Sequence, residues 1–345
     1  MRRSMIVGAA AVAAALMTVS GQAVPAEATP APARHAAKWL VSQQTKGVVT
    51  TSGYADYGLS IDLGLALDTI GGHRKAVRKV RKALAHNVSS YTTYGSDVYS
   101  GSTAKALYFA QSVGAKGRHF GGVNLVKQLN HRVSLAKPTV GRLSDKSAYG
   151  DYANTIGQAY AAAALARAHS RKAAPVTRFL LKQQCRAGFF RLEFAATSAK
   201  KQSCNAGTRS LSAPDTDVTA LAVIALTSVK KPGKRIRTAI AHASRWLSRH
   251  QKRNGSFGGG RTTAASNSNS TGVAAQALAL TDRCTRARRA AGWVRKLERG
   301  NGAIAYDRAA FGAAKKDGIT RATRDQWRRA STQAGPALLF VNGCK

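Results

Sequence analysis

Asp217-Val-Thr-Ala220-Leu-Ala222 and Asn269-Ser-Thr-Gly272-Val-Ala274 are two copies of one pattern: a short polar residue, a small residue three later, and alanine two beyond that. Asn154-Thr-Ile-Gly157-Gln-Ala159 is a third copy, and Gly101-Ser-Thr-Ala104-Lys-Ala106 a looser fourth. Ile61-Asp62-Leu63-Gly64-Leu65-Ala66 and Thr332-Gln-Ala-Gly335-Pro-Ala337 extend the series at either end. The small anchors at 64, 104, 157, 220, 272 and 335 recur every 40 to 63 residues. A recurrence of that length marks a fold built from stacked units, each too small to bury its apolar face alone.

Each copy reads as the start of a helix. Asn154, Asp217 and Asn269 are placed as N-caps, where a short polar side chain accepts a bond from an otherwise unpaired backbone N–H. Behind them run Ala159 to Ala166, Ala220 to Leu226 and Ala274 to Leu280, helix-forming and nearly free of charge. A helix that is apolar all round has to be covered on most sides. These are expected to be inner helices, with the small anchors letting them approach closely.

A second unit alternates with the first. An aromatic and an apolar residue are followed by glutamine in Trp39-Leu40…Gln44, Phe179-Leu180…Gln184 and Trp246-Leu247…Gln251, with Glu298 replacing glutamine after Trp293-Val294. Glycine follows at 47, 188, 255 and 302. Basic residues crowd the approaches, at Arg74 to Lys82, Lys230 to Arg249 and Arg283 to Arg299. Those segments are expected to be amphipathic outer helices, with Lys and Arg suiting their C-terminal ends.

Gln251-x-x-x-Gly255-x-Phe257 resembles the glutamine–aromatic repeat of squalene and terpenoid cyclases, with Phe where that repeat has Trp. With the periodicity, the chain resembles secreted members of the prenyltransferase and squalene oxidase repeat superfamily. The resemblance covers roughly residues 34 to 345. It implies an all-α, α/α toroid of six helix pairs: six inner helices around a central cavity and six outer helices around those. One such fold serves many chemistries, so the resemblance does not define a reaction.

Composition narrows the field. The chain has 345 residues, 54 Lys and Arg against 15 Asp and Glu, and a formal charge of +39. Hydrophobic residues make up 44%, enough for a core. No two acidic residues are adjacent, which excludes metal–diphosphate chemistry resting on an Asp-Asp pair. Arg2 and Arg3 precede an apolar stretch from Ile6 to Val19, then small residues at Ala23 and Ala28. That is the layout of a cleaved signal peptide over residues 1–28, leaving a single toroid domain over 29–345 in a secreted, extracellular protein. The four cysteines fit an oxidising compartment and are expected to pair as Cys185–Cys204 and Cys284–Cys344.

The candidate chemistry centres on Ala213-Pro-Asp215-Thr-Asp217-Val218-Thr-Ala220. The resemblance implies that a cyclase of the alkene-protonating class would carry Asp-x-Asp-Asp here, with the middle acid delivering the proton. Asp215 and Asp217 match, but Val218 replaces the last acid. The alternative is that Asp217 only caps its helix. Aromatic residues, at 7%, are few for a cation-stabilising cavity. A lyase-like reading would draw on tyrosines of the early loops: Tyr54, Tyr57, Tyr94, Tyr99, Tyr149 and Tyr152. Ser102-Thr-Ala-Lys105 matches Ser-x-x-Lys, but no Lys-Thr-Gly accompanies it. No metal-ligand spacing occurs among the histidines and cysteines, so neither metal nor cofactor is expected.

The charge is spread rather than gathered in a tail, and there is no nucleic-acid recognition motif. The partners expected are an anionic cell-wall polymer or a membrane surface, with an apolar small molecule as the ligand for the cavity. The leading expectation is a non-catalytic binding protein at the cell surface. A cyclase-like or lyase-like exported enzyme is the alternative.

Overall fold

The structure, a computed structural model, describes residues 29–344. The signal-peptide reading lies outside the described residues. The charge-poor stretches form α2 (Tyr57–Ile70), α5 (Ser100–Ser112), α7 (Thr155–Arg167), α9 (Thr216–Thr227) and α11 (Ser268–Ala279). With α14 (Arg324–Ala334), each packs against the next, and α14 returns to α2 to close a ring. Around it stand α1 (Ala31–Ser42), α3 (Arg74–His86), α6 (Leu125–Asn130), α8 (Ala173–Lys182), α10 (Lys234–His250) and α12 (Cys284–Arg295). The chain alternates between the two layers, which is an α/α toroid. Two short helices, α4 (Val88–Thr92) and α13 (Arg308–Asp317), serve as connectors. So do two antiparallel ribbons, β1 (Val49–Thr51) with β2 (Tyr54–Asp56) and β3 (Thr93–Tyr94) with β4 (Asp97–Val98).

Packing follows the residue types. α7 buries Ala161 to Leu165 without a break, because its neighbours cover it on several sides. The anchor Gly272 is required by close approach: a Cβ there would lie 2.4 Å from the Cα of Ala334 on α14. On the outer layer, Trp39, Phe179, Trp246 and Trp293 turn inward and are buried, while the Lys and Arg of α3, α10 and α12 face water. Both cysteine pairs form as the sequence suggested, with Cα separations of 5.0 Å for Cys185–Cys204 and 5.2 Å for Cys284–Cys344.

The glutamine–glycine unit joins neighbouring outer helices. The Gln251 side-chain amide donates to Gly255 O at 3.0 Å and to Arg286 O of α12 at 2.9 Å. Gln184 does the same to Gly188 O at 2.8 Å and Ala239 O of α10 at 2.9 Å. Each glycine turn thus presses on the backbone of the next outer helix. Gly302 makes the last such contact, where a Cβ would lie 2.1 Å from His35 O of α1, and its φ of +88° suits only glycine.

Two expectations need correction. The N-caps of α9 and α11 are Asp215 and Asn267, not Asp217 and Asn269. Asp215 accepts from Val218 N at 3.1 Å and Asn267 from Ser270 N at 2.8 Å, and both have the extended backbone a cap requires. These helices start two residues earlier, relative to their small anchors, than α7, where Asn154 is indeed the cap. The Thr332–Ala337 copy also misplaces the sixth inner helix. Residues 335–340 form a 3₁₀ turn, and α14 precedes them as a strongly basic helix whose inner face carries Trp327.

Candidate functional site

The two-residue shift at the caps decides what Asp217 is free to do. Capping is already performed by Asp215, so Asp217 sits in the first turn of α9 with its carboxyl turned away from the helix N–H groups. It shares a helical face with Leu221 and Ile224, four and seven residues on, which line the central cavity. Asn269 holds the corresponding place on α11, above Val273 and Gln276. Oδ1 of Asp217, Oδ1 of Asn269 and the Ser268 hydroxyl are all buried without a partner. The turn Phe257-Gly-Gly-Gly260 is packed onto the acids. A Cβ at Gly259 would lie 2.7 Å from Asp217 Oδ2, and one at Gly260 would lie 2.3 Å from Asp215 Oδ2.

Burial under that turn pushes the Asp217 carboxyl up to about 6; the Ser270 hydroxyl pulls the other way and the Asp215 charge adds to the rise. Burial raises Asp215 as well, but the backbone N–H groups of Val218 and Asp217 oppose the shift. The pair is therefore split, with Asp217 the more readily protonated member. Two carboxyls pushed apart by their surroundings are the usual arrangement for an acid beside a stabilising anion.

The cavity itself is narrow, about 110 Å³, and draws walls from all six inner helices, among them Asp62, Tyr108, Tyr160, Leu221, Gln276 and Thr332. Pockets that enclose drug-sized ligands run to roughly 300–1,000 Å³. Its lining is mostly apolar, and Asp62 is its one charged residue. Lys105 Nζ on α5 meets Asp62 Oδ1 on α2 at 2.7 Å and Gly58 O at 3.1 Å. Burial works against the Lys105 charge, but Asp62, Tyr91 and Tyr160 outweigh it and hold the ammonium above its ordinary range. Burial likewise raises the Tyr160 phenol. Arg167 stacks over Tyr108, with its guanidinium carbon 4.6 Å from the ring centre.

That pair escaped the sequence reading. Lys105 stood out there only through the chance Ser-x-x-Lys match. The usable signal was subtler: a lone Lys on the otherwise charge-free α5, and an Asp in the middle of the charge-poor α2. None of the six tyrosines considered for lyase chemistry lines the central cavity. Tyr54, Tyr94, Tyr149 and Tyr152 are exposed, and Tyr152 spends its hydroxyl on Tyr149 O at 2.8 Å. Among the described residues no three His, Cys, Asp or Glu side chains are grouped to hold a metal.

No protein-family model matches the chain, and no curated protein matches it in sequence. Solved structures do match in shape. A protein from Actinoplanes superposes with a TM-score of 0.63 at 16% identity, covering 89% of this chain and 98% of that one. A variant of the type II terpene cyclase MstE from Scytonema, in complex with geranylgeranyl dihydroxybenzoate, gives 0.63 at 15% identity over 92% and 98%. A glycosidase in complex with glucose gives 0.55 at 10% identity over 92% and 97%. The chain has the terpenoid cyclase-like α/α-toroid fold. At these identities the likeness is one of fold alone.

Proposed function

We propose that this is an exported, non-catalytic protein that acts by binding, its basic outer layer holding it to an anionic polymer of the cell surface. The observation that carries the reading is the unneutralised charge. Among the described residues, ion pairs engage only Lys105, Arg142, Arg295 and Arg329 as cations. The other Lys and Arg side chains, on α3, α10 and α12 above all, are left to an external counter-ion. The disulfides accord with an oxidising compartment, and no described helix is long and apolar enough to cross a membrane. The narrowness of the cavity supports binding over the cyclisation of a long prenyl chain.

The test is retention of the full chain on an insoluble anionic cell-wall polymer near physiological salt, followed by elution as salt rises. Passage without retention at that ionic strength overturns the reading. A second reading, an exported cyclase-like enzyme, is favoured by one feature, the buried and easily protonated Asp217 beside Asp215. MstE was solved with a geranylgeranyl substrate, and a substrate of that size would require this cavity to widen. Cyclised product from squalene or shorter polyprenoids, lost in Asp217→Asn, would establish that reading instead.

A further inference from the structure

Between the β1–β2 hairpin and the start of α14 lies an open groove of about 760 Å³. Its floor and far wall are Arg321, Arg324, Asp325 and Arg328, and its near lip is Thr50-Thr51-Ser52-Gly53. It sits at the end of the ring where α2 begins, since Arg329 of α14 reaches the α2 cap Asp56 at 2.7 Å.

The charges in this groove do not balance. Asp325 is its one carboxylate, and both of its oxygens are engaged: Oδ1 accepts from the Thr51 hydroxyl at 2.9 Å and Oδ2 from Arg329 Nε at 2.8 Å. Arg328 is fixed in place, donating from Nε to Gln43 Oε1 at 3.2 Å and from NH1 to Thr50 O at 2.8 Å. Among the described residues, none of Arg321, Arg324 and Arg328 has an acidic side chain within ion-pair distance. Burial, and then the neighbouring Arg324 charge, make Arg328 less hospitable to its own proton, with Asp325 opposing them. Thr323 caps α14 without a side-chain bond, so the first-turn N–H groups add positive potential to the same place. Three guanidiniums thus share the groove with a single carboxylate that is already engaged, which leaves room for an anion.

We propose that this groove is the seat of a phosphate-chain polymer, the three arginines gripping successive phosphate groups and the Thr50–Gly53 lip adding hydroxyl and backbone donors. The inference rests on the anionic-polymer reading above and names its site. Phosphate fits better than a uronate sugar chain, because guanidinium forks match phosphate oxygens and the groove offers no aromatic platform for a sugar ring. A membrane headgroup fits less well, since the groove is concave and carries no large apolar side chain to enter lipid.

The experiment uses the full chain and long-chain inorganic polyphosphate. Arg321→Ala with Arg324→Ala is compared with Arg118→Ala and Arg171→Ala, which removes the same charge from exposed connecting segments outside α3, α10 and α12. The groove pair is expected to weaken binding by at least about tenfold, as for lost charge-assisted bonds, and the control pair by about twofold or less. The slope of log affinity against log salt should fall by about two for the groove pair and far less for the control. Arg321→Lys with Arg324→Lys keeps the charge but not the fork, and should restore under half of the loss. Equal losses in the groove and control pairs overturn the site while leaving the general reading intact. Full rescue by lysine overturns the bidentate grip. Tighter binding to polygalacturonate or to phosphatidylglycerol vesicles overturns the choice of polymer. No binding of the parent chain to any of these overturns the general reading itself.

Discussion

Two junctions between outer helices use the same device with one atom changed. Between α10 and α12, Gln251 donates its amide to two carbonyls, Gly255 O and Arg286 O. Between α12 and α1, where the ring closes, Glu298 stands in the glutamine's place, bridged across Gly302 to α1. A carboxylate has no proton to donate to those carbonyls. Glu298 Oε2 instead takes a 2.8 Å bond from Arg295, and Oε1 is buried with no partner. Burial pushes the Glu298 carboxyl up to about 7, with Arg295 opposing the rise. The same scaffold is therefore pH-indifferent at one junction and pH-sensitive at the next.

The closing junction has compensations whose removal should have the largest effects. Cys284–Cys344 ties the end of the described chain to the start of α12 across 60 residues, whereas Cys185–Cys204 spans 19 on the opposite side. Chain-entropy arguments put the two at about 4 and about 3 kcal/mol. Replacing Cys284 and Cys344 by Ser should lower the urea midpoint more than replacing Cys185 and Cys204. The reverse order would show that the closing junction does not depend on this tie. Gly302→Ala comes next. It forces both a clash with His35 O and a left-handed φ, at a cost of about 3 kcal/mol. An effect under about 1 kcal/mol in equilibrium unfolding would mean that α1 can move away freely.

Glu298→Gln tests the comparison itself. With a folded-state pKa near 7 against an ordinary 4.5, the folded chain holds this proton more tightly than the unfolded chain. The favourable contribution is complete below about pH 4.5 and is lost as pH rises through 7. Glutamine should therefore change little at pH 4.5 and stabilise by about 2 kcal/mol at pH 8, by sparing the burial of a charge and restoring the donor. A stability gain independent of pH would show that Glu298 does not titrate with folding.

Most of the architecture was legible because it rests on side-chain size and periodicity. Ala-rich runs, inward aromatic residues and the Gln–Gly turns are local patterns, and they marked inner helices, outer helices and junctions directly. What was illegible depended on register and on distant partners. Asp217 and Asn269 match Asn154 by distance to the small anchor, yet α9 and α11 begin two residues sooner, and only backbone conformation distinguishes a cap from a first-turn residue. The third repeat likewise hides its glutamine. Gln158, on inner helix α7, reaches Gly141 O at 2.7 Å and Val176 O at 3.0 Å, a task that outer-helix glutamines perform elsewhere. The Asp62–Lys105 pair joins residues 43 apart in sequence, which no local window links.

The inner ring repeats the outer comparison in miniature, and there the smallest effect is expected. Asp217 and Asn269 occupy equivalent places at the top of α9 and α11, an acid in one and an amide in the other, each with Oδ1 unpartnered. Asp217 is raised from 3.8 to about 6 by burial, so its favourable contribution is complete below about pH 3.8 and is lost as pH rises through 6. Asp217→Asn makes the two positions alike, and should stabilise by about 1 kcal/mol at pH 8 while changing nothing near pH 3.5. Asp215→Ala, by contrast, removes the true cap and should cost about 1 kcal/mol at neutral pH. Urea unfolding of both variants at the two pH values separates these roles. Loss of stability in Asp217→Asn at pH 8 would mean that the carboxylate has a partner that an amide cannot replace, and would return Asp217 to the centre of a catalytic reading.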